Sequence, residues 1–235
     1  MSALVLPQDY PRLRVVAGFA ELSSASFEDG VHALCWQREL SGDFGEIVRH
    51  FAGNEGITSI DVDQLIGLAL SPTGRVAAAV LVEDLRCLQA LGLQPELNVI
   101  NGYRREEKPG PVPRDVMSWH ADSATEETDT WLCTYYGASS EALRHEDALC
   151  CSLEPEIRAA LLAVYGGGDD AGFAEFLSEE CYDLHYSARP EATPYVFGQG
   201  NLWRVATIYP GCPVPPCVHR APAASRGELR LLLIS

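Results

Sequence analysis

The stretch Trp119-His120-Ala121-Asp122 decides how this 235-residue sequence is interpreted. His120 closes an apolar, strand-like run, and residues two apart in a strand project from the same face. His120 and Asp122 can therefore reach one metal ion together. Two residues far downstream complete the pattern: His219, and Arg230 in the last apolar run of the chain.

A second pair with the same spacing, His145 and Asp147, has a different context. It lies in the polar stretch 139–147, which is typical of a loop or helix. On a helix, positions i and i+2 point about 200° apart and cannot share a metal ion. We assign this second pair to the solvated surface.

The presence of Arg230 is the reason to interpret His219 as a metal ligand. Alone, His219 would be assigned to the core, bonded to a backbone carbonyl. Residues 229–234 are almost wholly apolar, however, and predict a buried strand in which an arginine must pair with an anion. If residues 223–226 form a hairpin turn, His219 and Arg230 lie nearly opposite one another, and Arg230 can clamp a dicarboxylate beside a metal. The alternative is a salt bridge from Arg230 to Glu228 or another internal acid.

The apolar pattern divides the chain into four segments of one α+β domain. Residues 1–95 are mainly helical and support the rest, residues 96–137 and 194–235 carry short strands, and residues 138–193 form a helical insertion, a possible lid. Short strands separated by Gly and Pro favour a sandwich or jelly roll. The pattern therefore predicts a sandwich or jelly-roll barrel core, with N-terminal helices covering one face of it. Helices are expected at 44–51, 61–70, 74–91, 155–165 and 172–181, and strands at 97–103, 116–120, 131–136, 195–197, 202–209, 217–219 and 228–234.

Composition narrows the classes of partner. A hydrophobic content of 47% supplies a sizeable core, and the formal net charge is −16. A nucleic-acid binder needs a basic footprint, and an anionic membrane surface attracts basic segments, so neither partner is expected. No export signal and no apolar run of about 18 residues is found, which indicates a cytoplasmic protein. Eight cysteines without a C-x-x-C pair argue against a structural zinc site.

The set His120, Asp122, His219 and Arg230 resembles the iron(II)- and 2-oxoglutarate-dependent oxygenase superfamily, whose motif is H-x-D, a distal His, and an Arg or Lys some ten residues on. A closer resemblance is to a poorly characterised bacterial family of similar length. The segments that carry it are Trp36-Gln37-Arg38-Glu39-Leu40, the H-x-D pair, Thr134-Tyr135-Tyr136-Gly137 and Val218-His219-Arg220-Ala221-Pro222. The likeness spans most of the chain, with a gap over roughly residues 140–190.

The resemblance implies a fold, a double-stranded β-helix (jelly-roll, cupin-like) core, and an activity. Iron(II) would be held by His120, Asp122 and His219, and 2-oxoglutarate would chelate it while Arg230 holds the far carboxylate. O2 would take the last position. The products would be succinate, CO2 and, in the usual case, a hydroxylated small molecule, amino-acid-like or a natural product.

Four residues on strands flanking the expected site are candidates to assist Arg230 at the carboxylate, or else to pack in the core. They are Tyr103, Asn101, Thr134 and Tyr135.

Two other functions fit the same residues. A metal-dependent cupin enzyme would need the triad but not Arg230. A non-catalytic metal-binding protein would close the triad with a further ligand, such as Cys212, Cys217 or His185.

Overall fold

The computed structural model describes residues 6–7, 9–103, 110–113, 115–180, 184–223 and 227–235. Its larger sheet has seven strands. In spatial order they are β1 (Leu13–Val16), β2 (Ala33–Trp36), β11 (Leu202–Ala206), β6 (Asp129–Tyr136), β13 (Leu229–Ile234), β4 (Glu96–Asn101) and β3 (Gly56–Ile60). Only β1 and β2 pair in parallel; the other neighbours in this sheet are antiparallel.

The second sheet has six short strands, and its pairs are antiparallel. In spatial order they are β10 (Tyr195–Val196), β7 (Glu141–Ala142), β12 (His219–Arg220), β5 (His120–Ala121), β9 (Leu184–Ala188) and β8 (Ala148–Cys150).

Six α-helices are present in the described ranges: α1 (Phe19–Ser24), α2 (Phe44–His50), α3 (Val62–Gly67), α4 (Pro72–Ala90), α5 (Pro155–Tyr165) and α6 (Ala171–Glu180). Their ends follow local chemistry. Asp61 and Gln64 form a capping box at the start of α3. Ser71 caps α4, with Pro72 in its first turn, and α5 ends at Gly166 with φ +76°.

Strand alternation gives the seven-stranded sheet two different faces. Leu97 and Val99 of β4, with Leu231 and Leu233 of β13, belong to the cluster that packs against α2 and α4. The opposite face packs toward the second sheet, in a cluster that joins Cys35, Leu132 and Trp203 to Ala142 and Tyr195. The result is a mixed α/β arrangement of two curled, largely antiparallel sheets with helices outside, compatible with a β-sandwich.

The predicted helices 44–51, 61–70, 74–91, 155–165 and 172–181 are confirmed as α2 to α6, with shifted ends, and the long strands β4, β6 and β13 are confirmed. The interpretation of residues 1–95 as helical needs correction, because β1, β2 and β3 lie there and form both edges of the larger sheet. The interpretation of residues 138–193 as a helical insertion is also too narrow, since β7, β8 and β9 supply half of the second sheet. The strands predicted at 195–197, 202–209 and 217–219 overlap β10, β11 and β12. The six strands that were missed have only two to five residues, and so few alternations give a weak signal.

The strand expected at 116–120 is reduced to its last residue, because residues 116–118 form a turn and bend before His120. None of the described helices combines the length and the apolar character needed to cross a bilayer.

Candidate metal centre and anion pocket

The two histidines of the predicted triad lie directly opposite each other on adjacent strands. His120 of β5 pairs with His219 of β12 in antiparallel register, and their ring centroids are 4.7 Å apart. Asp122, two residues beyond His120, lies between them: its Oδ1 is 3.8 Å from His120 Nε2 and its Oδ2 is 3.7 Å from His219 Nε2. Strand pairing thus brings His219 to His120 and Asp122, from which it is separated by about a hundred residues of sequence.

Backbone carbonyls orient both imidazoles. His120 Nδ1 lies 2.8 Å from the carbonyl oxygen of Ser118, and His219 Nδ1 lies 3.1 Å from that of Cys217. A carbonyl only accepts, so each Nδ1 carries the proton and donates it. Each Nε2 then presents a lone pair toward Asp122, which is the tautomer that a metal ligand requires.

The pKa values of His120 and Asp122 favour binding of a cation by the cluster. Burial, assisted by the neighbouring His219, lowers the pKa of His120 to about 4, so its ring is neutral at pH 7. Burial raises the pKa of Asp122, but the imidazoles of His219 and His120 and a hydrogen bond from Thr130 outweigh it, and the pKa lies below its ordinary value. The site therefore offers a neutral imidazole at His120 and a carboxylate at Asp122, with the imidazole of His219 beside them.

The donor set fits a divalent transition metal. One ligand atom from each residue lies within 4.8 Å of the others. Ligands bonded at about 2.1 Å to a common ion are about 3 Å apart, so a small contraction closes the site. Two imidazoles and a carboxylate leave several coordination positions open, as in mononuclear iron(II) oxygenases.

None of the three residues proposed as a closing ligand joins this cluster in the described part of the chain. His185 pairs with His120 across β5 and β9, but their ring centroids are 6.3 Å apart. Cys212 donates to the carbonyls of Thr207 and Val214. Burial raises the pKa of Cys217 to about 12, which keeps it a thiol.

Arg230 is buried, with 2% of its surface exposed, and its described partners are neutral hydroxyls. Its Nη1 donates to Tyr103 Oη at 2.8 Å, and its Nη2 donates to Thr134 Oγ1 at 2.9 Å and to Ser140 Oγ at 2.8 Å. Its buried Nε has no hydrogen-bond partner among the described residues. Burial lowers the pKa of Arg230, yet an arginine stays protonated in a protein.

The alternative of a salt bridge from Arg230 to Glu228 is wrong. The ion pairs found between described residues do not include Arg230, and Glu228 is exposed. A buried cation surrounded by neutral groups has an unfavourable desolvation energy that a bound anion relieves. Because the three hydroxyls accept from the guanidinium, their own protons remain available to donate to such an anion.

A cavity of about 220 Å³ joins the two groups of residues. Its lining includes His120, Asp122 and His219 of the metal-ligand cluster, and Arg230 with two of its hydroxyl partners, Tyr103 and Ser140. The candidate metal-ligand cluster and the buried arginine therefore line the same cavity.

The route by which Arg230 reaches this cavity differs from the expected hairpin. β12 lies in the second sheet, whereas β13 lies in the larger sheet between β4 and β6. The two strands are therefore not partners, and most of the predicted turn at 223–226 lies outside the described residues. Arg230 and His219 line the same cavity because the two sheets pack face to face.

Three of the four residues predicted to assist at the carboxylate do not line the cavity: Asn101, Thr134 and Tyr135. For Asn101 and Tyr135, which do not contact Arg230 either, this corrects the prediction. Asn101 Nδ2 donates to the carbonyls of Ala52 and Asn54, so its amide ties loops together at the end of β4. Tyr135 donates to Asp84 Oδ2 at 2.6 Å on the helical face of the sheet. Tyr103 and Thr134, by contrast, contact Arg230 as expected.

Two contributors were missed. Thr130 Oγ1 donates to Asp122 Oδ2. Ser140 Oγ accepts from Arg230, and the residue follows a bend at Gly137. Gly137 has a φ of +82° and lies so close to Leu229 and Arg230 that a Cβ atom would not fit there. Thr130 could have been predicted from strand alternation, because residues 130 and 134 lie on the same face of β6. No local sequence pattern identifies Ser140.

The second histidine–aspartate pair lies in the short 3-10 helix His145–Asp147, as a loop or helix was expected there. It forms no metal-ligand cluster with other described residues. His145 is half-buried rather than solvated, and its backbone N–H donates to Tyr10 Oη.

Comparison with protein-family models, with curated proteins and with solved structures finds no match to this chain.

Proposed function

We propose that this protein is a non-haem iron(II)- and 2-oxoglutarate-dependent oxygenase that hydroxylates a small molecule and releases succinate and CO2. One observation carries the proposal: the His120–Asp122–His219 cluster and the buried Arg230, which has no ion-pair partner among the described residues, line the same cavity. Either feature alone is compatible with a purely structural role. Together they match a co-substrate that needs a metal at one end and a cation at the other.

The protein's own residues have separable tasks in this proposal. His120, Asp122 and His219 would hold iron(II), which supplies oxygen activation coupled to decarboxylation of 2-oxoglutarate. Thr130 fixes one oxygen of Asp122 and leaves the other free to bind the metal. Arg230, in a nearly dry pocket, orients the far carboxylate of the co-substrate.

We also infer that the two sheets belong to a double-stranded β-helix, or jelly roll. The antiparallel pairing and the position of the metal-ligand cluster on the short-stranded sheet support this finer description.

The alternatives account for less of the cavity. A cupin enzyme that does not use 2-oxoglutarate gives no reason for a buried arginine whose Nε lacks a partner among the described residues. A closed metal-binding protein needs a fourth ligand, and within the described ranges no further His, Cys, Asp or Glu joins the cluster.

The proposal is tested by succinate release from iron(II) protein supplied with 2-oxoglutarate and O2. Wild-type protein should form succinate slowly even without its substrate. Asp122→Ala should not, whereas Asp147→Ala, the matched change in the second histidine–aspartate pair, should retain the wild-type rate. Equal succinate formation by wild type and Asp122→Ala would refute the proposal.

A further inference from the structure

Seven polar residues line the cavity, and six of them belong to the metal centre or the anion pocket. Three form the metal-ligand cluster and three form the Arg230 group. The seventh is Asn98, which is buried with 6% of its surface exposed. A buried amide needs partners for both its oxygen and its nitrogen.

Among the described residues, a hydrogen-bond partner is found only for the oxygen of the Asn98 amide. Ser59 Oγ donates to Asn98 Oδ1 at 2.7 Å. No described residue accepts a hydrogen bond from Nδ2, and the side chain lines the cavity. Because Ser59 holds the oxygen, the NH2 group is what Asn98 offers to a molecule in the cavity.

Strand register explains how the cavity reaches the surface. Ile57 of β3 pairs with Ile100 of β4, which pairs with Arg230 of β13, so the three side chains share one face of the sheet. β3 is an edge strand. The cavity thus runs from Arg230 across Ile100 to the sheet edge.

The outer part of the cavity carries exposed apolar side chains. Ile57, Val116 and Ile234 are 59%, 46% and 36% exposed, and all three line the cavity. We call this group the apolar rim. Single exposed aliphatic residues are ordinary, but three around the entrance to one polar-ended cavity indicate a surface that a ligand covers.

We propose that Asn98 and the apolar rim form the substrate subsite, and that the substrate is an uncharged molecule with an aliphatic portion and a hydrogen-bond-accepting oxygen. The aliphatic portion lies on the rim and the oxygen accepts from Asn98 Nδ2. This inference rests on the proposed function and narrows its substrate class. A free amino acid fits poorly, because the described lining has no further cation for its carboxylate once Arg230 is occupied, and no carboxylate beyond Asp122 for its ammonium group.

The test compares three six-carbon probes whose head groups are neutral, anionic and cationic: hexanamide, hexanoate and hexylammonium. Zn(II)-loaded protein is used because zinc does not turn over, and 2-oxoglutarate is added so that hexanoate cannot occupy Arg230. Ligand-observed NMR gives the dissociation constants. Hexanamide should bind at least about tenfold more tightly than either charged probe, since burying an uncompensated charge is costly.

Two variants of Asn98 make the test specific. Asn98→Leu should weaken hexanamide binding by about tenfold, the usual effect of losing one good hydrogen bond in a dry site. Asn98→Asp, which replaces donors by acceptors, should reverse the preference in favour of hexylammonium. For the rim, Ile57→Ser should weaken hexanamide binding, whereas Ile66→Ser, a change at an equally exposed isoleucine on α3, should not.

Failure of this inference is distinguishable from failure of the proposed function. Binding of 2-oxoglutarate is measured in the same samples, and its absence counts against the oxygenase proposal alone. The subsite is refuted if hexanamide does not bind, if a charged probe binds wild-type protein as tightly, or if both Asn98 variants leave the order of affinities unchanged.

Discussion

Thr130 and Thr134 project from the same face of β6, and each supports a different end of the cavity. Thr130 donates to Asp122 of the metal-ligand cluster, and Thr134 accepts from Arg230 at 2.9 Å. One rigid strand therefore sets the position of the metal relative to the anion pocket. A co-substrate that spans the two would meet both ends in a fixed arrangement.

This relationship predicts that two isosteric changes have different effects. Thr130→Val should weaken Co(II) binding about 10–100-fold, because the hydrogen bond that orients a ligating carboxylate is lost. Thr134→Val should leave Co(II) affinity unchanged and weaken 2-oxoglutarate binding by about three- to tenfold. Absorption titrations with each ligand measure both effects. Equal losses of Co(II) affinity in the two variants would contradict the separate roles of Thr130 and Thr134.

Replacing Arg230 or Arg204 by methionine should change the unfolding free energy differently, because only Arg204 is ion-paired among the described residues. Arg204 is ion-paired with Asp129 at 2.6 Å and donates to the carbonyls of Leu22, Ser23 and Ala25. Arg204→Met should cost about 3 kcal/mol of unfolding free energy, because it strands a largely buried carboxylate. Arg230→Met removes a cation that has no counter-ion among the described residues and leaves no charge unpaired, so it should not lower the unfolding free energy. Urea denaturation of the metal-free proteins gives both values, and a loss at Arg230 as large as that at Arg204 would show that its charge is already compensated.

The buried imidazole of His32 should make the unfolding free energy of the metal-free protein fall at acidic pH. It is fully buried, with Nε2 accepting from Tyr10 Oη and Nδ1 donating to the carbonyl of Pro216. Burial, assisted by repulsion from His145 and by Arg12, lowers its pKa from 6.5 to about 4. The unfolded chain therefore binds this proton more readily, so the contribution to stability is complete above pH 6.5 and is lost as the pH falls toward 4.

The corresponding variant is His32→Gln, which can keep both hydrogen bonds but does not titrate. Between pH 7 and pH 5 the wild type should lose about 2 kcal/mol more unfolding free energy than the variant. Urea denaturation in the presence of a chelator at each pH measures the difference. Parallel pH profiles would mean that His32 is already protonated in the folded protein.

The sequence was most informative where chemistry and periodicity agreed. His120 and Asp122 were recognised because alternation puts them on one face, and Arg230 because a charge in an apolar strand requires a partner. The choice among Tyr103, Asn101, Thr134 and Tyr135 was harder. Thr134 and Tyr135 are adjacent and must face opposite sides, and only the register with β13, which is irregular between Leu231 and Leu232, determines which side meets Arg230.

Long-range packing accounts for the rest. The pairing of β12 with β5, and of β13 with β4 and β6, depends on contacts between distant segments that no local pattern encodes. The hairpin prediction failed for that reason, although it placed Arg230 near His219. Asn98 was likewise hidden, because its role depends on Ser59 of the neighbouring strand holding its oxygen.

The central claim is that the metal at the His120–Asp122–His219 cluster and the Arg230 guanidinium bind the same 2-oxoglutarate molecule. Anaerobic titration of iron(II) protein with 2-oxoglutarate tests it most directly. A weak visible charge-transfer band should saturate in the wild type and in Arg220→Met, whose arginine follows His219 but pairs with Glu141. It should vanish in Arg230→Met; no band in the wild type, or an unchanged titration in Arg230→Met, would contradict the claim.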